Sequence, residues 1–181
     1  MLKSLYFLLL MFKDQLLNLI KSYPDFPQKG IVFKDITPIF RDTEIFKYLI
    51  SEIAASPNFT NSDAIVAIDA RGFIFASAIA LRLNKPFVLA RKPGKLPGKL
   101  MSKSYDLEYS SNTLSIQEES IIQFNSFVIV DDLLATGGTV KCIVNLLEGA
   151  GKKINGLEVV IELEKLQGRT KFDFPVNSQL L

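Results

Sequence analysis

The sharpest pattern of apolar and polar positions lies in residues 127–147. Phe127, Val128, Ile129 and Val130 form a mostly β-branched run that predicts a strand buried on both faces, and Asp131 and Asp132 close it. Leu133 and Leu134 lead into a turn of small residues, Ala135-Thr136-Gly137-Gly138-Thr139. Apolar residues then recur at Val140, Ile143, Val144, Leu146 and Leu147, the spacing of an amphipathic helix, with a stop at the glycines 149 and 151.

The same alternation of strand and helix patterns runs through the rest of the chain. A helical pattern continues through Leu16 and Ile20 and stops before Tyr23-Pro24. Residues 23–40, punctuated by Pro24, Pro27, Gly30 and Pro38, predict an ordered non-helical surface segment in which Phe26, Ile31, Val32, Phe33 and Ile36 need cover. Asp42 or Thr43 can cap a helix through Ile45, Phe46, Leu49, Ile50 and Ile53 that ends near Pro57. Residues 64–68 predict a buried strand with the charged tip Asp69-Ala70-Arg71-Gly72-Phe73, followed by an Ala-rich helix to about Leu83. Strands are also expected at 86–90 and within 152–161. The expected fold is one α/β domain over residues 1–181, with a central, mostly parallel sheet flanked by helices.

The apolar run at residues 5–12 interrupts this picture. It is too short to span a bilayer, and no small-residue cleavage site follows it. It reads as an N-terminal helix docking on the body or a partner, or as an upstream start with Met11 as the initiator, in preference to a targeting segment.

Composition removes several chemistries. The chain has 181 residues, 48% of them hydrophobic, enough for one full core. Its net charge of +2 gives no argument for a polyanionic partner, and no basic helix-turn-helix segment is visible, so neither nucleic acid nor a membrane is expected as a partner. The single cysteine, Cys142, excludes an internal disulfide, reads as a small core residue and suggests a reducing, cytoplasmic location. No histidine is present, which excludes histidine bases, Ser-His-Asp or Cys-His nucleophiles and His-based zinc sites. Acid–base work falls to Asp, Glu, Lys or Tyr.

The turn at 135–139 has a specific chemistry. Its glycines let backbone N–H groups face inward, its threonines add hydroxyls, and the following helix presents its positive N-terminus, so a phosphate can be held without a cation. The paired carboxylates repel a phosphate and suit hydroxyls or a divalent cation instead. Phosphate on one side and vicinal hydroxyls on the other describe a ribose 5-phosphate. Neither GxxxxGK[ST] nor GxGxxG fits. Arg71, at the end of a second strand, can clamp an anion above the strand ends.

VIVDDLLATGGT resembles the phosphoribosyl pyrophosphate signature of type I phosphoribosyltransferases, in the form seen in adenine phosphoribosyltransferases. YPDFPQKGIVFKDITP resembles that family's purine-binding hood, usually YPDFPxPGIxFRDIxP, and ELEKLQGRTK is similar to its tail. SYDLEYS resembles the family's SYxLEYG. The motifs arrive in order over roughly residues 16–171 and imply a small N-terminal hood on the α/β fold.

The resemblance also implies roles. Phe33 stacks on adenine while Val32 and Lys34 contact it through backbone groups; Lys34 replaces the usual arginine, and Gln28-Lys29 departs from the usual proline. Arg71 faces pyrophosphate, in a turn for which a non-proline cis peptide is expected near Asp69-Ala70. Residues 91–110 form a flexible lid in which Arg91, Lys92 and Lys95 meet pyrophosphate. Glu108 manages the purine proton and Tyr109 packs over the site, with Ser110 standing where glycine is usual. Asp131 and Asp132 hold the ribose hydroxyls, and Ala135, Thr136, Gly137, Gly138 and Thr139 anchor the 5′-phosphate. The implied reaction makes AMP and pyrophosphate from adenine and 5-phospho-α-D-ribose 1-diphosphate, with Mg²⁺ carried mainly by the diphosphate and the chain working as a homodimer. Transfer to another base, or a non-catalytic regulator of the same fold, are the alternatives.

Overall fold

The computed structural model describes residues 2–107 and 110–181, with side chains described at 11–104 and 113–181. Residues 1–52 with Leu180 form one compact unit, and residues 53–179 with Leu181 a second.

In the first unit, helix α1 (Leu2–Leu19) runs through the apolar stretch, and Phe12 and Leu16 are buried. Strands β1 (Lys21–Pro24) and β2 (Val32–Asp35) pair antiparallel, with Tyr23 opposite Phe33. Their connection bends through a cis Phe26-Pro27 bond, and Asp25 Oδ1 accepts the Gly30 amide at 2.7 Å. Helix α2 (Thr43–Ala54) follows. Its cap is Asp42, whose Oδ1 accepts the Ile45 amide at 3.0 Å, satisfying one of the free donors of the first turn.

In the second unit, β3 (Ala64–Ile68) is buried at every residue, and α3 (Gly72–Leu83) ends on left-handed Asn84. Strand β4 (Phe87–Ala90) leads to an antiparallel hairpin of β5 (Leu100–Leu107) and β6 (Ser110–Gln117), then to a single helical turn, α4 (Glu118–Ile121). Strand β7 (Ser126–Leu134), helix α5 (Gly138–Gly149), β8 (Lys153–Glu162) and β9 (Val176–Leu180) complete the unit. The central sheet has the order β4-β3-β7-β8-β9, and β4, β3, β7 and β8 run parallel. Its core is built from residues such as Val66, Phe127, Ile129, Ile143, Leu147 and Leu157. Such aliphatic runs are what a sheet covered on both faces requires.

One expectation changes. The carboxylates Asp131 and Asp132 do not end their strand, because β7 stays paired with β8 as far as Leu134 opposite Glu162. Part of the expected lid is a regular hairpin, with Leu114 and Ile116 buried on β6 and cross-strand bonds from Ser102 to Ser115 (2.7 Å) and from Ser104 to Thr113 (3.0 Å). Cys142 is buried as expected. Among the described residues no helix is long and apolar enough to cross a membrane.

Candidate active site

Because β3, β4 and β7 are parallel neighbours, their carboxyl ends lie along one edge of the sheet. At the end of β3 the Asp69-Ala70 peptide is cis, where the resemblance led us to expect it. The turn passes directly against β7. A Cβ on Gly72 would lie 2.9 Å from the Val130 carbonyl oxygen and 3.0 Å from Asp131 Oδ1, so only glycine allows the approach. That approach carries Arg71 to the carboxylates, and Arg71 Nη2 stands 2.8 Å from Asp132 Oδ2 in an ion pair without hydrogen-bond alignment.

The two carboxylates differ. Adjacent strand residues face opposite sides, and of the pair Asp132 lines the cleft. Asp131 Oδ1 accepts the Asp132 amide at 2.8 Å. Burial, and then the neighbouring Asp132 charge, push the Asp131 carboxyl well above the usual carboxylate range. The Arg71 guanidinium offsets this only in part.

The cleft measures about 190 Å³ and is lined by Arg71, Asp132 and residues 133–140. Gly137 opens α5 in the left-handed region, at φ 80°, and no side chain caps the helix. The first amides of α5 are thus left for an anion, whose charge the helix N-terminus favours. The sequence-predicted residues Arg71, Asp131, Asp132 and Ala135 through Thr139 therefore come together.

Arg91 sits at the end of β4. Its Nε is 3.2 Å from Asp69 Oδ2, its guanidinium lies 5.5 Å from the centre of the Phe73 ring, and its main chain bridges to Ser115. Lys92 and Lys95 are exposed on the loop that follows. Val32, Phe33 and Lys34 belong to β2 in the first unit. There Phe33 meets the edge of Phe26 at 5.2 Å and 74°, and Lys34 Nζ donates to Ser22 Oγ at 2.9 Å. Glu108 and Tyr109 lie outside the described residues.

The sequence reading missed what braces the anion turn. Leu163 N donates to the Leu134 carbonyl at 2.8 Å, and Gly168 packs so closely that a Cβ there would lie 2.2 Å from the Ala135 carbonyl oxygen. A Cβ on Gly137 would in turn lie 2.9 Å from the Gly168 carbonyl and 3.2 Å from the Phe172 ring. The tail motif was legible as a motif, but a local pattern names no distant partner.

Comparison with known proteins agrees with this geometry. The family model for the phosphoribosyl transferase domain matches residues 39–178. The adenine phosphoribosyltransferase of Prochlorococcus marinus strain MIT 9515 is 55% identical over 168 residues, 93% of this chain and 98% of that protein. The crystal structure of adenine phosphoribosyltransferase from Thermoanaerobacter pseudethanolicus superposes with a TM-score of 0.88 at 41% identity, covering 93% of this chain and 98% of that one. The Saccharomyces cerevisiae enzyme, solved with adenine and an imino-altritol bisphosphate, gives 0.86 at 36% identity over 93% and 98% of the two chains. With paired carboxylates on β7 beside an uncapped glycine turn, and relatives matched along nearly their whole length, the chain belongs to the phosphoribosyltransferase family, among its adenine phosphoribosyltransferases.

Proposed function

We propose that the chain forms AMP and pyrophosphate from adenine and 5-phospho-α-D-ribose 1-diphosphate, a purine-salvage reaction. The observation that carries this reading is the cleft in which Arg71 and Asp132 face the uncapped turn at 135–139. The turn's amides and the Thr136 and Thr139 hydroxyls take the 5′-phosphate; Asp131 and Asp132 take the ribose hydroxyls, with Asp132 supplying the charge-assisted hydrogen bonds. Once the donor's diphosphate draws Arg71 toward itself, Asp132 is free to bind the sugar. Arg91, Lys92 and Lys95 add positive charge along the departing diphosphate. Phe33 stacks on adenine, with Val32 and Lys34 reading its edge, and Tyr109 covers the site. Glu108 manages the purine proton as N9 attacks the anomeric carbon. Holding both reactants in line lowers the barrier without a covalent intermediate on the protein.

The donor set on β7, two adjacent carboxylates of which one already pairs with Arg71, fits a cation shared with substrate oxygens better than a closed protein cage. Mg²⁺ bound in that way neutralises charge on the diphosphate. The reaction is placed in the cytoplasm, consistent with the lone buried Cys142, and the working unit is a homodimer.

Incubating the purified protein with adenine, the phosphoribosyl donor and Mg²⁺ should yield AMP and pyrophosphate. Hypoxanthine, xanthine and orotate should compete poorly, because a 6-oxo group set against partners meant for a 6-amino group leaves buried polar atoms unpaired. Equal turnover of hypoxanthine, or no AMP, would refute the proposal.

A further inference from the structure

The turn at 135–139 binds through backbone amides, so its affinity depends on where its main chain is held. α5 continues from one end of it, and β7 enters at the other. The remaining support is the return from β8, and one ion pair shapes that return. Glu162, the last residue of β8, is 1% exposed and lies in register with Leu134, the last residue of β7. Its Oε1 accepts from Arg169 Nε at 2.7 Å, while its Oε2 pairs with Arg169 Nη2. This two-point contact folds residues 163–169 back on themselves. The residue it places against the turn is Gly168, immediately before Arg169, which has no room for a Cβ next to the Ala135 carbonyl.

We propose that Glu162 and Arg169 are positioning residues for phosphate binding: their bidentate pair presses Gly168 against Ala135 and Gly137 and fixes the amides that hold the 5′-phosphate. The inference rests on the assignment of 135–139 as the phosphate site. Its chemistry is specific to a planar guanidinium. A lysine offers a single point of attachment, so it keeps the charge but loses the fixed angle between the two hydrogen bonds. The Arg169 hydrogen bond holds the Glu162 carboxyl below the usual glutamate range, so the carboxylate is charged at neutral pH and available for this contact. Arg169 is half exposed, at 46% for its side chain, so replacing it leaves no buried cavity.

The test compares AMP with adenosine by calorimetry on the full chain, since only AMP carries the phosphate. Arg169→Gln should weaken AMP about ten-fold, the scale of one well-aligned charge-assisted hydrogen bond, with adenosine unchanged. Glu162→Gln should do the same, Arg169→Lys should restore only part of the loss, and hydrogen exchange at the 135–139 amides should quicken in Arg169→Gln. AMP and adenosine weakening equally, or AMP binding unchanged, would overturn the proposal. Thr139→Val is the control for the site. If it weakens AMP while Arg169→Gln does not, the bracing role fails and the phosphate site stands; if it leaves AMP unaffected, both fail.

Discussion

At Glu108 and Phe33, chemistry and recognition can be separated by single substitutions. Glu108→Ala should lower turnover by about two to four orders of magnitude, the usual contribution of a general acid–base group, with adenine affinity little changed. Unchanged turnover would remove Glu108 from the reaction. Phe33 is partly buried, and the edge of Phe26 fixes its ring. Phe33→Ala should raise the KM for adenine about ten-fold through lost stacking, leaving kcat nearly intact. A fall in kcat with constant KM would place the ring elsewhere in the cycle. Other roles were legible only in part. An acidic pair and Arg71 are each visible in the sequence, but only the fold shows that Arg71 reaches Asp132 and that, of the pair, Asp132 lines the cleft.

Among the secondary elements, β8 shows what a local pattern hides. Glu158 is 1% exposed on this strand, and its Oε1 accepts from Ser56 Oγ at 2.5 Å, Asn58 Nδ2 at 2.8 Å and Asn177 Nδ2 at 3.0 Å. The contact ties β8 to the helical turn at Pro57–Phe59 and to β9. Burial raises the Glu158 pKa above its ordinary value of 4.5 despite these bonds. A carboxyl whose folded pKa exceeds its unfolded one contributes stability that is full below the unfolded pKa and is lost as pH rises through the folded one. All three donors meet one oxygen, which a glutamine can supply. Glu158→Gln should therefore gain in melting temperature relative to wild type as pH rises from 4 to 8. A gap that stays constant over that range would show that Glu158 carries no such penalty. The elements whose interiors are apolar, β3, α3 and α5, were readable from periodicity. The hairpin of β5 and β6 was not, because Lys103 stands opposite buried Leu114 and Ser115 is buried between Leu114 and Ile116, which hides the alternation of apolar and polar positions. β9 was missed for a related reason, since Asn177 and Ser178 face the carboxylates of Glu158 and Glu162.

For the whole molecule, the testable property is assembly. Leu81 on α3 is 86% exposed, and Ile74 on the same helix and Phe87 on β4 are 40% exposed, an apolar set suited to burial between two copies of the chain. In sedimentation the protein should exceed its 20.2 kDa monomer mass, and Leu81→Glu should return it to that mass while leaving the fold intact. A wild-type chain that sediments as a monomer would refute the dimer, and a dimer indifferent to Leu81→Glu would move the interface elsewhere. The sequence by itself determined the alternation of strands and helices, the glycine-threonine turn after twin aspartates and the absence of histidine chemistry. These are set by residues near one another along the chain, where periodicity, backbone freedom and composition act. Only the tertiary structure decided that β7 runs through its carboxylates, that Arg71 meets Asp132 and that Gly168 closes on Ala135. Each joins residues tens of positions apart, through contacts that strand pairing and close packing create.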